Sequence, residues 1–280
     1  MPQLILNPTT STQLKAFKQR PSHALLLIGP AGSGKFSLAK TTAETILDIE
    51  TIDGYPYSLH IAPEQSTIGI EAIRNIEQFL SRKVPGSQPF KRIVIIEQSE
   101  RLSTEAQNAL LKNLEEPPAD TLIILTATHA SGLLPTIRSR VQTVKVNQPE
   151  KLALQEKFTA TDPQTYARAY AMSGGRPGLL TALLSDSEHP LLQAADYARQ
   201  MLGQSIYHRL LLVDELAKKP ELALDVTLIL QQMAHVSLQT ASGATFKRWQ
   251  NILSASYQAS EALSASGQAK LVLTDLMLHL

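Results

Sequence analysis

An apolar run, Ala24-Leu25-Leu26-Leu27-Ile28, leads directly into Gly29-Pro30-Ala31-Gly32-Ser33-Gly34-Lys35, and this junction restricts the fold more than anything else in the chain. The loop fits G-x-x-x-x-G-K, and the residues after it, from Ser37 to Glu44, have a helical pattern. Each residue type has a reason to be there. Glycines let backbone N–H groups turn inward around an anion, a helix N-terminus adds partial positive charge, and Lys35 reaches β- and γ-phosphate oxygens. Gly29 to Lys35, with Phe36 and Ser37 after them, are therefore the candidate nucleotide-binding residues. The bland alternative is a glycine-rich turn that holds nothing.

Such a loop belongs between a parallel strand and a helix, and the neighbouring sequence agrees. Apolar runs at 24–28, 92–96, 122–126 and 141–146 alternate with helical patterns, as buried parallel strands do. From about 147 the strands stop. Gly174-Gly175-Arg176-Pro177-Gly178 separates two helices, and beyond His189 every apolar spacing is helical, with breaks at Pro220 and Ser242-Gly243. The expected fold is an α/β phosphate-loop core (1–147), a small helical lid (148–186) and a C-terminal all-α domain (187–280). At about 150 residues per domain, 280 residues suit two or three such units.

Charge and composition exclude several functions. There are 26 Lys and Arg against 25 Asp and Glu, a net charge of +1, which is too balanced for a protein that binds nucleic acid by charge alone. The absence of cysteine removes disulfides, cysteine-ligated zinc, iron–sulfur clusters and thiol nucleophiles. The first residues, Met1 to Pro8, lack the basic and apolar regions of a signal peptide, and no apolar run reaches about 18 residues. A soluble, cytoplasmic protein without membrane contact is expected.

Two positions depart from hydrolytic chemistry. The loop motif should end in Ser or Thr, whose hydroxyl ligates Mg²⁺, but position 36 is Phe. Ser37 cannot stand in, because the next helical residue points about 100° away. In ATPases of this layout a second strand ends in Asp-Glu, which hold the metal and polarise the attacking water. Here Ile93-Val94-Ile95-Ile96 ends in Glu97-Gln98: a longer carboxylate, then an amide that accepts no proton. Alone, Glu97-Gln98 is an ordinary polar strand end; beside Phe36 it reads as a decayed hydrolytic site.

Further motifs give a family resemblance. Glu100 to Pro118, above all Asn108-Ala109-Leu110-Leu111-Lys112 and Glu115-Glu116-Pro117-Pro118, strongly resembles the stretch after the second acidic strand in bacterial clamp-loader subunits of the AAA+ class. Leu133 to Arg140 resembles that family's Ser-Arg-Cys segment, with Val141 in place of Cys. Ser22 to Leu25, Ile68 to Arg74 and the final helix over 268–278 are similar as well.

The resemblance implies a helical-collar AAA+ subunit of the non-hydrolysing, stator type within a DNA polymerase III clamp loader. Arg140 is then an arginine finger inserted into a neighbour's ATP site, where a guanidinium stabilises γ-phosphate charge. Without the resemblance, Arg138 and Arg140 would read as surface ion-pair formers. Thr128 matches the sensor-1 position or is a plain strand-terminal Thr. At sensor 2, Pro177 replaces the expected Arg, with Arg176 one residue early. The four-cysteine zinc module usual in such subunits is absent or reduced to a loop near 48–58.

The implied cofactor is ATP or ADP, bound weakly or without hydrolysis, with Mg²⁺ only beside nucleotide and no zinc. Implied partners are gamma/tau-type and delta-type subunits, the sliding clamp, and primed DNA contacted indirectly or by its backbone. His23 is expected to pack near the adenine end or to be structural. Phe246, Lys247, Arg248 and Trp249 could stack on nucleic acid, although helix packing suits them better. Two rivals remain: an active gamma/tau-type ATPase, and a decayed phosphate-loop adaptor outside replication.

Overall fold

A computed structural model describes residues 4–63, 67–186, 189–239, 241–265 and 267–280. Residues 1–3, part of the stretch read above for a signal peptide, and 187–188, at the expected lid–collar border, lie outside them. The chain forms two units, Met1–Leu154 and Gln155–Leu280.

In the first unit the order is α1 (Pro8–Gln19), β1 (Ala24–Ile28), α2 (Lys35–Leu47), β2 (Ser58–Ile61), α3 (Ile70–Leu80), β3 (Arg92–Ile96), α4 (Thr104–Glu115), β4 (Thr121–Ala127), α5 (Pro135–Arg138) and β5 (Gln142–Lys145), with α6 (Lys151–Lys157) at the border. All strand pairs are parallel, and the sheet order is β2-β3-β4-β1-β5. β1 is interior, flanked by β4 and β5, so it buries both faces and reads as a continuous apolar run.

Alternate residues feed two cores. Leu25, Leu27, Ile93, Ile95, Leu122 and Ile124 pack with Leu14 and Phe17 of α1 and Leu38, Ala39 and Leu47 of α2. Leu26, Val94, Ile96, Ile123 and Leu125 pack on the other face with Ile73 and Ile76 of α3, Leu110 and Leu114 of α4, and Ile137 of α5. Each fully buried Leu or Ile contributes about 1.5–3 kcal/mol, so this two-sided core fixes the strand from which the phosphate loop departs.

β2 was not among the apolar runs. It has four residues, one of them exposed, and pairs only with β3 at the sheet edge. A short edge strand lacks the apolar signature of a two-sided strand. Before it, the segment after α2 is a packed loop: Ile52 is buried, its N–H bonds to Glu44 Oε1 at 3.1 Å, and Tyr55 Oη donates to the Lys91 carbonyl at 2.7 Å.

The second unit is helical: α7 (Pro163–Ser173), α8 (Pro177–Ser185), α9 (Pro190–Gly203), α10 (Ile206–Leu216), α11 (Pro220–Leu238), α12 (Gly243–Ser264) and α13 (Ala269–His279). Four of these helices begin with proline, whose missing N–H costs nothing at a first helical position. α11 is central, packing on α7, α9 and α12 through a stripe that includes Val226, Ile229, Leu230 and Ala234. Among the described residues, no helix is long and apolar enough to cross a membrane.

Candidate nucleotide-binding site and arginine finger

The loop between β1 and α2 has the conformation its sequence asks for. Gly32 and Gly34 have φ of 76° and 81°, values that L side chains rarely adopt. Gly29 has a different reason: a Cβ there would stand 2.7 Å from the Val146 carbonyl oxygen. The loop's base continues the sheet, since Gly29 N–H bonds to Ala127 O at 3.1 Å and Val146 N–H to Ile28 O at 2.7 Å. α2 begins at Lys35, so its free N–H groups open onto the loop.

Lys35 folds back on its own loop, its Nζ donating to the carbonyls of Gly29 at 2.6 Å and Pro30 at 2.9 Å. Burial holds its pKa below the ordinary lysine value, while the carboxylates of Glu100 and Glu97 oppose that shift. Ser33 Oγ is buried without a hydrogen-bond partner. An orphan hydroxyl, inward-turned glycines and a helix start fit phosphate oxygens. The loop's N–H groups and Lys35 would hold them.

The metal half of the site does not fit Mg²⁺. Phe36 stacks on the imidazole of His60, ring centroids 4.5 Å apart and planes 25° from parallel. His60 Nε2 lies 3.2 Å from Glu97 Oε2. Hydrocarbon therefore stands where the ligating hydroxyl belongs, and the acidic side chain at the end of β3 has a protein partner. Lys40 adds its ammonium 5.7 Å from the Phe36 ring while pairing with Asp53 at 2.5 Å. Among the described residues, no group of three or more His, Cys, Asp or Glu is placed to hold a metal ion.

Gln98 sits in the left-handed region, φ 50°, an uncommon backbone for a residue with a side chain. Its N–H bonds to Thr126 Oγ1 at 3.1 Å, which ties the end of β3 to β4. Thr128, just beyond β4, gives both its N–H, at 2.9 Å, and its hydroxyl to Glu100 Oε1. Glu100 Oε2 is buried without a hydrogen-bond partner. Glu100 and His60 are the two site residues that the sequence motifs did not single out. Glu100 lies inside the family-like stretch, so a search for every acid after β3 would have found it; His60 has no local signal.

Arg140 follows α5 and is about one-third exposed. Its Nη2 pairs with Glu115 at 2.7 Å, and its Nη1 donates to Thr136 O at 3.0 Å and Ser139 Oγ at 3.3 Å. These contacts lie on α4, α5 and the residue that ends α5. Arg176 stands before α8 in the second unit and donates Nε to Ser173 O at 2.6 Å, with Pro177 as the first helical residue. His23 Nε2 is buried without a partner, and Trp249 is half-buried on α12.

Comparison with known proteins gives the family. A family model described as DNA polymerase III, delta subunit matches residues 7–150. The chain is 31% identical over 197 residues to DNA polymerase III subunit delta' of Haemophilus influenzae, covering 64% of this chain and 59% of that one. It is 31% identical over 178 residues to the Pseudomonas aeruginosa protein of the same name, covering 56% and 54% respectively. The match thus spans little more than half the length of these relatives. Among solved structures, a gamma subunit-related protein from Thermotoga maritima superposes with a TM-score of 0.61 at 20% identity, over 96% of this chain and 97% of that one. That likeness supports the AAA+ architecture alone. With the motifs from Glu100 to Arg140 and a model match over the whole sheet, the chain belongs to the DNA polymerase III delta-subunit family of clamp-loader proteins.

Proposed function

We propose that this chain is a non-hydrolysing subunit of a DNA polymerase III clamp loader, helping to place the sliding clamp on primed DNA. The observation that carries the reading is the Phe36–His60–Glu97 arrangement, which occupies the metal side of the site while the phosphate loop keeps its form. The site lacks the metal-ligating hydroxyl, and the neutral Gln98 amide stands where the acid that polarises the attacking water belongs. ATP or ADP, where bound, is held by the loop and Lys35 without turnover.

Arg140 is the group this subunit gives to its neighbour. A guanidinium supplied in trans stabilises charge spreading over the γ-phosphate oxygens, and Arg140 is accessible beyond α5. In the free chain Glu115 occupies it; a triphosphate in the adjoining subunit replaces that carboxylate. The partners under this reading are gamma/tau-type and delta-type subunits and the clamp, with DNA met through its backbone.

Steady-state ATP hydrolysis by the purified chain with Mg²⁺, against Lys35→Ala, tests the reading. Turnover equal to that of the variant supports it. Clear Lys35-dependent turnover replaces it with an active gamma/tau-type motor, and failure to join the other subunits replaces it with an adaptor outside replication.

A further inference from the structure

Arg209 on α10 is an anomaly. It is 9% exposed and continues the buried stripe formed by Val213 and Leu216. Its Nε is buried with no hydrogen-bond partner, and among the described residues its guanidinium makes no hydrogen bond or ion pair. Buried arginines are ordinarily paired, because an uncompensated guanidinium away from water is costly.

Its charged neighbour makes matters worse. Arg248, on α12, donates Nη2 to the Leu202 carbonyl at 3.3 Å, at the C-terminal end of α9, and has no carboxylate partner among the described residues. Burial lowers the Arg209 pKa, and the positive charge of Arg248 lowers it further. No Asp or Glu occurs between Asp196 and Asp214, nor between Asp225 and Glu261. The acids further along α10 and on α13 have other partners: Asp214 pairs with Lys270, Glu215 with Tyr197 and Lys219, and Asp275 with His279. Arg209, with its Nε sheltered from water, thus lies in the field of a second positive charge, and neither guanidinium has a carboxylate partner among the described residues.

We infer that Arg209 and Arg248 form a socket for one carboxylate side chain, Asp or Glu, of a partner protein. The inference rests on the chain's being a subunit of a hetero-oligomer. Exposed Ile206, Tyr207 and Phe246 lie within three residues of the arginines in sequence. Arginine and aromatic side chains around a sheltered charge are typical of the centre of a protein interface. A nucleic-acid phosphate suits the corner less well, because backbone binding draws on many cations and this unit has slightly more Asp and Glu than Lys and Arg.

The test is two measurements on the full chain and Arg209→Met, with an oligo(dT) titration as a third. In the first, the melting temperature is followed as sodium glutarate, a free dicarboxylate, replaces sodium chloride at constant ionic strength. The wild type is expected to melt higher in glutarate. Arg209→Met is expected to match or exceed the wild type in chloride and to ignore glutarate, since a guanidinium with no partner in the free chain does not stabilise it. Equal glutarate shifts in both proteins, no shift in either, or a variant several degrees less stable in chloride would each overturn the socket.

In the second measurement, wild type and variant are titrated onto the gamma/tau-type and delta-type subunits. A weakening of about tenfold or more in Arg209→Met is expected, as for a desolvated interface arginine. Unchanged affinity overturns the inference. If the wild type joins neither subunit but still responds to glutarate, the clamp-loader reading falls and the socket stands. Binding of oligo(dT) that is lost in Arg209→Met, with no glutarate effect, would reassign the corner to nucleic acid and overturn the proposal.

Discussion

Phe36 lies flat against His60, 4.5 Å between ring centroids, and so joins the first turn of α2 to the edge strand β2. Through the 3.2 Å contact of His60 with Glu97, the same stack reaches the end of β3. Three elements meet at the position where a metal-dependent nucleotide site would keep a hydroxyl and a free acid.

Replacing that ring should restore metal sensitivity without restoring hydrolysis. Phe36→Thr returns a hydroxyl to the end of the loop motif, so binding of a fluorescent ADP should become about tenfold tighter in Mg²⁺ than in EDTA, against no difference in the wild type. Turnover should stay at the Lys35→Ala level, because Gln98 still cannot accept a proton. Hydrolysis by the single variant would show that the amide is no obstacle.

Arg140→Ala should leave assembly intact, since its contacts with Glu115, Thr136 and Ser139 are exposed and local. Loss of an arginine finger costs about 10³-fold or more at the site it serves. DNA-stimulated turnover by the reconstituted complex should fall by that one site's share, and unchanged turnover would remove Arg140 from the chemistry. Glu115→Gln releases the same guanidinium and should change the melting temperature little, because an exposed pair contributes only about 0–1 kcal/mol.

The ion pair where β3 and β4 begin behaves differently. Arg92 is buried and grips Asp120 with Nε and Nη2, both at 3.0 Å, while its Nη1 donates to the carbonyls of Leu80 at 2.7 Å and Arg82 at 2.9 Å. Asp120→Ala leaves a buried guanidinium without its carboxylate, which costs about 3–5 kcal/mol. A thermal melt should show a drop of about 10 °C or more in the first unit. A drop of only a degree or two would place the stability of this corner in the carbonyl contacts instead.

Asp225 on α11 gives a pH-dependent prediction. Burial raises its carboxyl pKa, the His189 charge opposes the rise, and Glu221 adds to it. A carboxyl whose folded pKa exceeds its unfolded value binds more protons in the folded state. Stability therefore declines as pH rises from the ordinary aspartate range through the raised value, and is fully present below it. Asp225→Asn should raise the melting temperature at pH 7 by about 1–3 °C and give no gain near pH 3. An equal gain at both pH values would point to packing rather than ionisation.

The sequence alone determined the parts of this protein whose physics is local or periodic. Continuous apolar runs announced β1, β3 and β4, because interior parallel strands bury both faces. β5, an edge strand with only Val144 buried, showed instead as the spaced Val141, Val144 and Val146, and the glycines and Lys35 announced the phosphate loop, because its backbone needs them. Phe36 and Gln98 were visible as departures because the chemistry at their positions tolerates few side chains. Tertiary structure decided the rest. β2 escaped notice as a short edge strand, and with it went His60, which meets Phe36 across 24 residues and Glu97 across 37. Glu100 became the partner of Thr128 only when β4 was laid beside β3, and Arg209 became a buried charge only when α10 packed into its bundle. Pairings between distant residues leave no period in a sequence, since they depend on where the folded chain brings side chains together and how far water is excluded there.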